Sequence, residues 1–396
     1  MKVAVTVPGR FWLFYLAQQL LKRGYLEQLI TSYPKFEVKK YGIPKEKVSS
    51  ILIKEILFRG WHGLPGFLRN AYNPQYFIQE TFDYFACRAL RKADIVAGGS
   101  SSFLRTLRKA KKFGAITIVE HGSSHIVYQN NILKEEYERF GIKVEPVHQK
   151  VIEKEVKEYE EADYIAIPSF FVKKTFLEKG IPESKIIHVP YGADLSQFHQ
   201  IPKTDNVFRV IFAGGMSLRK GVHYLLQAFS ELNLPNSELM LIGSFNDEIK
   251  PFFKKYATAF RRGPAESGKG KIIWMGHIQQ KELHKYYSQG SVFAIMSIEE
   301  GLALVQPQAM ACGLPIIATT NTGAEDIVRD GQDGFIIPIR DIEALKTKLL
   351  YLYENRDICK KMGESAKARV SSGFTWDDYG NRMVSEYERI LAKNAL

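Results

Sequence analysis

Short runs of apolar, often β-branched residues alternate along the whole chain with longer segments in which apolar side chains recur every three or four positions. That pattern predicts strands alternating with helices. Lys2 to Val7, Ala93 to Gly99, Ala115 to Val119 and Tyr164 to Ile167 read as strands in the first half. Leu239 to Gly243, Ile272 to Gly276, Val292 to Met296 and Ile316 to Thr319 do so in the second. Helices are expected over Phe11 to Lys22, Lys45 to Trp61, Gln149 to Ala162, Phe170 to Gly180, Pro307 to Cys312 and Thr375 to Leu391. Ser100, Ser101 and Ser102 stand as helix-capping candidates after a strand, and Arg261 to Lys271 reads as a basic surface loop. Proline, glycine and polar residues interrupt the pattern between Tyr191 and Gln200, which sets a domain boundary there. The expected architecture is α/β, with two doubly wound domains, 1–192 and 193–374, facing across a cleft, followed by a last helix, 375–396.

Three stretches carry candidate chemistry. Ser291 to Ile317 reads as strand, turn, helix, strand, with an acidic, glycine-containing elbow. Gly301 lets the backbone approach a ligand closely, the amides at the following helix start favour polar oxygens, and Glu300 and Gln308 flank that start. Val207 to Phe229 reads as a strand, a glycine turn at Gly214 and Gly215, and a helix preceded by Arg219 and Lys220, a set suited to a diphosphate. The first strand runs into Pro8, Gly9 and Arg10, but G-x-G-x-x-G is absent, which disfavours a nicotinamide enzyme. The strand Ala115 to Val119 delivers Glu120 to His125, EHGSSH, to its C-terminal end, where ligands sit in open α/β sheets.

SIEEGLALVQPQAMACGLPI resembles the donor-sugar motif of glycosyltransferase family 4, retaining enzymes of the GT-B fold with two Rossmann-like domains. The resemblance implies that Glu300 contacts the transferred sugar and that the turn at Gly301, Leu302, Ala303, Leu304 and Val305 offers amides to its hydroxyls. Gln308 stands where the family holds the ribose with a second Glu; an amide still pairs with a diol, but without the strength of an ionised acceptor. VPGRFWLFYLAQQLLKRG is similar to the first β-loop-α unit, which puts Gly9 beside the donor diphosphate and Arg10 on the acceptor side. ITIVEHGSSHIVYQ is similar to the segment whose histidine projects towards the sugar, His121 being the first choice and His125 the second. Lys220 matches the phosphate-contacting lysine; Gly214 and Gly215 occupy positions where members carry arginine, so Arg219 is expected to supply that charge. KIIWMGHI implies Gly276 and His277 near the nucleotide base, TTNTGAEDIVRDGQDGFIIP implies support from Glu325, and the tail is expected to fold back across the first domain.

The implied activity is transfer of a sugar from a nucleoside diphosphate sugar to a saccharide or lipid-linked acceptor, with retention, in cell-surface polysaccharide or glycolipid synthesis. His121, Glu300, Lys220 and Arg219 are the catalytic candidates. Two other readings stay open: an epimerase or hydrolase of the same donor, and a nucleotide-sugar-binding protein with degraded catalysis, motivated by Gln308 and Gly215.

Composition changes this picture little. Three widely spaced cysteines suit a reducing compartment, and no leader or membrane-length apolar run is read, so a cytoplasmic location is expected. No aspartate pair has metal-binding spacing, so neither metal nor resident cofactor is expected. Net charge is +12, and residues 1–112 hold 20 Lys and Arg against 7 Asp and Glu. This excess fits a solubilising surface, an anionic acceptor or peripheral contact with an anionic inner membrane face. Nucleic acid is disfavoured, because no aromatic stacking motif accompanies the charge. Lys45 to Trp61 would put Ile51, Leu52, Ile56, Leu57 and Trp61 on one helical face, either packed on its own domain or laid in a bilayer interface.

Overall fold

The computed structural model describes residues 1–65, 73–256 and 270–394; the loop expected over 261–271 falls almost wholly outside them. The first sheet contains β1 (Val3–Val7), β2 (Leu26–Thr31), β3 (Val48–Ser50), β4 (Ile95–Gly99), β5 (Ile116–Glu120), β6 (Tyr164–Ile167) and β7 (Ile186–His188). They are parallel and ordered β3-β2-β1-β4-β5-β6-β7. The second contains β8 (Phe208–Ala213), β9 (Ser237–Ile242), β10 (Lys271–Gly276), β11 (Val292–Ile295), β12 (Ile316–Thr319) and β13 (Gly334–Ile337), also parallel, in the order β10-β9-β8-β11-β12-β13. Central strands such as β1 and β11 are buried along their whole length, which is why they read as unbroken apolar runs rather than alternating ones. In both sheets the connections reverse direction beside the first strand, at β1/β4 and at β8/β11. A crevice outside the carboxyl ends at such a reversal is the usual ligand seat of an open α/β sheet.

Two expectations fail locally. Lys45 to Trp61 is not one helix: Val48–Ser50 pairs with β2 as an edge strand, and helix starts only at Ile53. The backbone groups of β2 needed a partner, and that outweighed the helical spacing of the side chains. The three serines do not cap the next helix, which begins at Leu104; Glu158, from another helix, accepts from the backbone N–H of Phe103 and Leu104. Ser101 is thereby freed to take φ +69°, its N–H held by Glu158 and its hydroxyl by Glu155.

Among the helices, α1 (Trp12–Lys22), α2 (Ile53–His62), α3 (Gln75–Ala89) and α4 (Ile126–Arg139) belong to the first half of the chain, α5 (Val222–Leu232) and α6 (Val305–Ala311) to the second, and α7 (Trp376–Asn394) closes it. α7 packs against α1, with Tyr15 and Trp376 stacked at 4.0 Å and Lys22 bridged to Asp377 at 2.7 Å. α4 goes the other way. Ile132 and Leu133 enter the core of the second sheet's domain, and buried Glu136 accepts from Tyr224 at 2.8 Å and from Arg340 at 2.6 Å while facing His223 at 3.0 Å. The two chain crossings between the sheets run side by side: the N–H of Ala193 donates to Phe374 O at 2.8 Å. Gly192 is needed there, since a Cβ would stand 2.5 Å from Thr375 O and from the Trp376 Cα. Among the described residues no helix is long and apolar enough to cross a membrane.

Candidate functional site

On the second sheet the site is built where β8 and β11 end. The turn after β8 reaches Gly221 at φ +63°, where a Cβ would lie 1.8 Å from the Met296 carbonyl oxygen, so only glycine lets this turn seat on the end of β11. That seating brings Lys220 onto Glu300, whose carboxylate accepts from its ammonium. Gly214, at φ +147°, lies under Gly243, and Gly215 follows it at the strand end. Of the turn expected to offer amides to a sugar, Ala303 has its N–H bonded to Thr322 O at 3.1 Å, while Leu302 is buried and Leu304 and Val305 are half-buried. Gln308 is half-buried on α6. Gly276 ends β10 at φ +72°, and His277 after it is exposed, two strands out from β8.

On the first sheet a cavity of about 280 Å³ opens at the carboxyl ends of β1, β4 and β5, walled by Trp12, Ser100, Ser101, His121, Gln129 and Glu155 among others. His121 is on this wall, only 3% exposed, with both ring nitrogens engaged. Nε2 faces Ser124 O at 3.0 Å and so donates there, while Nδ1 faces the Ser100 hydroxyl at 2.9 Å, with the Tyr159 hydroxyl at 3.4 Å and the Glu155 carboxylate at 3.6 Å beyond it. His125 is corrected: its Nδ1 accepts from Val127 N–H at 3.2 Å, capping α4, and its ring packs on Tyr159 and Phe176. Burial and the neighbouring His121 depress it to about 4. Gly9 lines a second, adjoining cavity, and Arg10 is exposed. Glu120 lies behind His121 and accepts from Trp12 Nε1 at 3.1 Å; burial pushes its carboxyl up to about 7.

The two walls are joined by a residue that the sequence did not single out. Glu299, buried, accepts from the N–H and hydroxyl of Ser124 at 2.9 and 2.8 Å and from Gln129 at 3.0 Å, all on the first domain. From its own domain Arg219 pairs with it at 2.9 Å. In the bend after β11 the two adjacent carboxylates part, Glu299 turning to the facing domain and Glu300 to Lys220. The doublet was visible in the sequence, but which carboxylate went where was not. Arg219, expected at a diphosphate, is thus part of the fastening between domains. A similar shift occurs at the closing segment: Glu325 is exposed, while Asp326 accepts from Phe170 N–H at 2.9 Å and pairs with His188 at 2.7 Å. Gly301 O accepts from Ser169 Oγ at 2.6 Å.

Burial raises the Glu299 carboxyl, but Arg219, Gln129 and Ser124 outweigh it and hold it below the ordinary 4.5. A depressed folded value contributes closure that is complete above about pH 4.5 and lost as pH falls through the depressed value. Removing the charge leaves Arg219 without its buried partner, and because the Arg219 side chain is itself 35% exposed the loss is about 1–2 kcal/mol rather than that of a fully buried pair. Glu299→Gln is therefore expected to open the cleft at neutral pH as strong acid opens the parent protein. Small-angle scattering as a function of pH reads this, and a pH-independent, closed profile for Glu299→Gln would contradict it.

Residues 194–369 match the family model described as glycosyl transferases group 1. An uncharacterized glycosyltransferase of Methanocaldococcus jannaschii is 25% identical over 287 residues, 69% of this chain and 67% of that one. A GDP-mannose-dependent alpha-(1-6)-phosphatidylinositol monomannoside mannosyltransferase of Mycolicibacterium smegmatis is 24% identical over 57% of this chain and 62% of its own length. Among solved structures, sucrose-phosphate synthase of Thermosynechococcus elongatus superposes with a TM-score of 0.72 at 17% identity, covering 99% of this chain and 100% of that one. Anabaena HepE in complex with UDP-glucose gives 0.70 at 15% identity, covering 98% and 100%. The chain is a glycosyltransferase of the GT-B fold.

In this glycosyltransferase the expected residues divide into three groups. Lys220 and Glu300 meet, and Gly301 touches the opposite domain beside His121. His121 and Gly9 line first-domain cavities. His125 is held in the interior, and Arg219 is taken up by Glu299.

Proposed function

We propose that the glycosyltransferase is a family 4 enzyme that moves a sugar from a nucleoside diphosphate sugar to a saccharide or lipid-linked acceptor with retention of configuration, using no resident metal or cofactor. The reading rests on the Lys220–Glu300 ion pair at the β8/β11 reversal. A sugar linked to a diphosphate is the ligand that satisfies both halves of this pair at once: its phosphate replaces Glu300 on the ammonium, and its hydroxyls replace the ammonium on the carboxylate. The relatives support a nucleotide donor, since the HepE structure holds UDP-glucose and the Mycolicibacterium enzyme is named for GDP-mannose.

In this reading Lys220 stabilises charge gathering on the leaving diphosphate, Glu300 orients the ring, and the joined domains exclude water that would hydrolyse the donor. The acceptor hydroxyl attacks on the face the diphosphate leaves, which takes its proton. The same reading keeps the enzyme in the cytoplasm, its basic first third towards anionic, acceptor-bearing membrane.

The test is a calorimetric screen of nucleoside diphosphate sugars followed by an acceptor panel, measuring nucleoside diphosphate release. Release only with an acceptor supports transfer. Release without one indicates a hydrolase, and binding without release a degraded enzyme. Gln308→Glu is expected to tighten donor binding by about fivefold, since a charge-assisted hydrogen bond adds roughly 1 kcal/mol over a neutral one. Unchanged or weaker binding by calorimetry would place the ribose elsewhere.

A further inference from the structure

Lys220 is carried by a turn that closes mostly on itself. The N–H of Lys220 returns to Ser217 O at 3.1 Å and that of Gly221 to Leu218 O at 2.9 Å. The N–H of Leu218, a buried residue, turns instead to a side chain, because a buried N–H needs a partner. That side chain is Glu248, in the short helical turn Asp247–Ile249 after β9, whose Oε1 accepts from it at 2.8 Å. One end of the turn is thus seated by Gly221 on Met296, and the other hangs on a carboxylate two residues before the lysine.

That carboxylate is also gripped from the other half of the molecule. Tyr137, on α4, donates its hydroxyl to Glu248 Oε1 at 3.2 Å and to Oε2 at 3.1 Å. α4 starts in the first domain, where Ile126 is buried in the core, so this bond joins the two domains. The next residue of the turn is reached in the same manner. Gln129, on α4, donates to Glu299, and Glu299 pairs with Arg219. The two donors stand roughly 12 Å apart along the helix axis. α4 therefore sets two donors on two second-domain carboxylates, and each carboxylate holds one of the consecutive residues, Leu218 and Arg219, that lead into Lys220. A contact that only glued the domains would have no reason to end on the backbone beside the lysine.

We propose that Tyr137 and Glu248 are positioning residues for Lys220, a hydrogen-bonded tether through which the first domain fixes the turn that meets the donor diphosphate. Without the Tyr137 hydroxyl, Glu248 keeps the Leu218 N–H but loses its own anchor, so the turn loosens and the ammonium is less preorganised towards phosphate. The inference rests on the donor reading above and adds to it that the phosphate-facing cation of the second domain is set by a helix of the first.

The experiment titrates UDP and GDP into the full chain by calorimetry, in the parent, Tyr137→Phe, Lys220→Ala and the double variant. Amide exchange of the ligand-free proteins is followed by mass spectrometry. For whichever nucleotide binds, Tyr137→Phe is expected to weaken affinity about three- to tenfold, the worth of a hydrogen bond to a charged group felt in part at the lysine. In the Lys220→Ala background the same change should cost less than about 1.5-fold, because a tether to an absent ammonium does nothing. A peptide spanning residues 216–221 should exchange at least about threefold faster in Tyr137→Phe while β8 keeps its protection. Equal loss in the two backgrounds overturns the proposal, since the hydroxyl would then act on domain packing as a whole. So does parental affinity in Tyr137→Phe. If neither nucleotide binds the parent, the donor reading fails and exchange alone decides: faster exchange keeps the tether, and parental exchange removes it.

Discussion

Gly301→Ala is expected to lower kcat/KM by about 100-fold or more while leaving both domains folded. An alanine Cβ there would stand 1.9 Å from the Gly122 carbonyl oxygen and 2.6 Å from its carbon, and both belong to the backbone of the facing domain. No rotamer relieves such an overlap, so the domains must separate or the elbow must shift. Separation is resisted by the Ser169 hydroxyl on Gly301 O and by Glu299 on Ser124, which hold the same elbow. Whichever gives way, Glu300 moves by on the order of 1 Å relative to the first-domain wall, a displacement that can cost about 10²-fold in rate. The sequence suggested that this glycine admits a ligand; the structure shows that it admits the other domain. Steady-state kinetics with small-angle scattering decide the matter, and parental turnover in Gly301→Ala would mean that the closed arrangement is not the working one.

The second large effect is expected at Lys220. Lys220→Ala should reduce kcat by roughly 10²–10³, the loss typical of removing one preorganised group that faces developing charge. It should also weaken nucleoside diphosphate binding, since the remaining carboxylate of Glu300 then repels the phosphates. Stability should change little, because Lys220 is partly exposed and the turn is set by Gly221 against Met296. Measured kcat, donor affinity and melting temperature separate these effects. A large fall in melting temperature with kcat intact would recast the ion pair as structural. Conservative Lys220→Arg should recover part of the rate, as a charge is restored with altered geometry.

How much of this was legible beforehand depends on whether the signal is local. β12 runs over the very residues expected, Ile316 to Thr319, because a fully buried strand announces itself by composition. The glycine turn and the acidic elbow were legible for the same reason, each being a short stretch with a conformational requirement. What joins them was not. Glu299 meets residues about 170 positions earlier, and nothing near it distinguishes it from Glu300. The periodicity of α4 states that one face is apolar but not that Ile132 and Leu133 serve the other domain. Ser100 to Ser102 looked like caps because capping is usually local, and Glu158 took that task from 54 residues away. Edge strand β3 was hidden in a helical spacing since three residues are too few to show a period of two.

The paired crossings at Ala193 and Phe374 act as the spine of a book. With two covalent threads bonded to each other, the pages can swing about that line but cannot slide or twist freely. Entry and exit of any bound molecule must therefore use the fore-edge, where the Glu299 clasp sits beside the Ser169 hydroxyl on Gly301 O and the α4 contacts of Ile132, Leu133 and Glu136, so that these fastenings have to release together, rather than the spine bend, when the book opens.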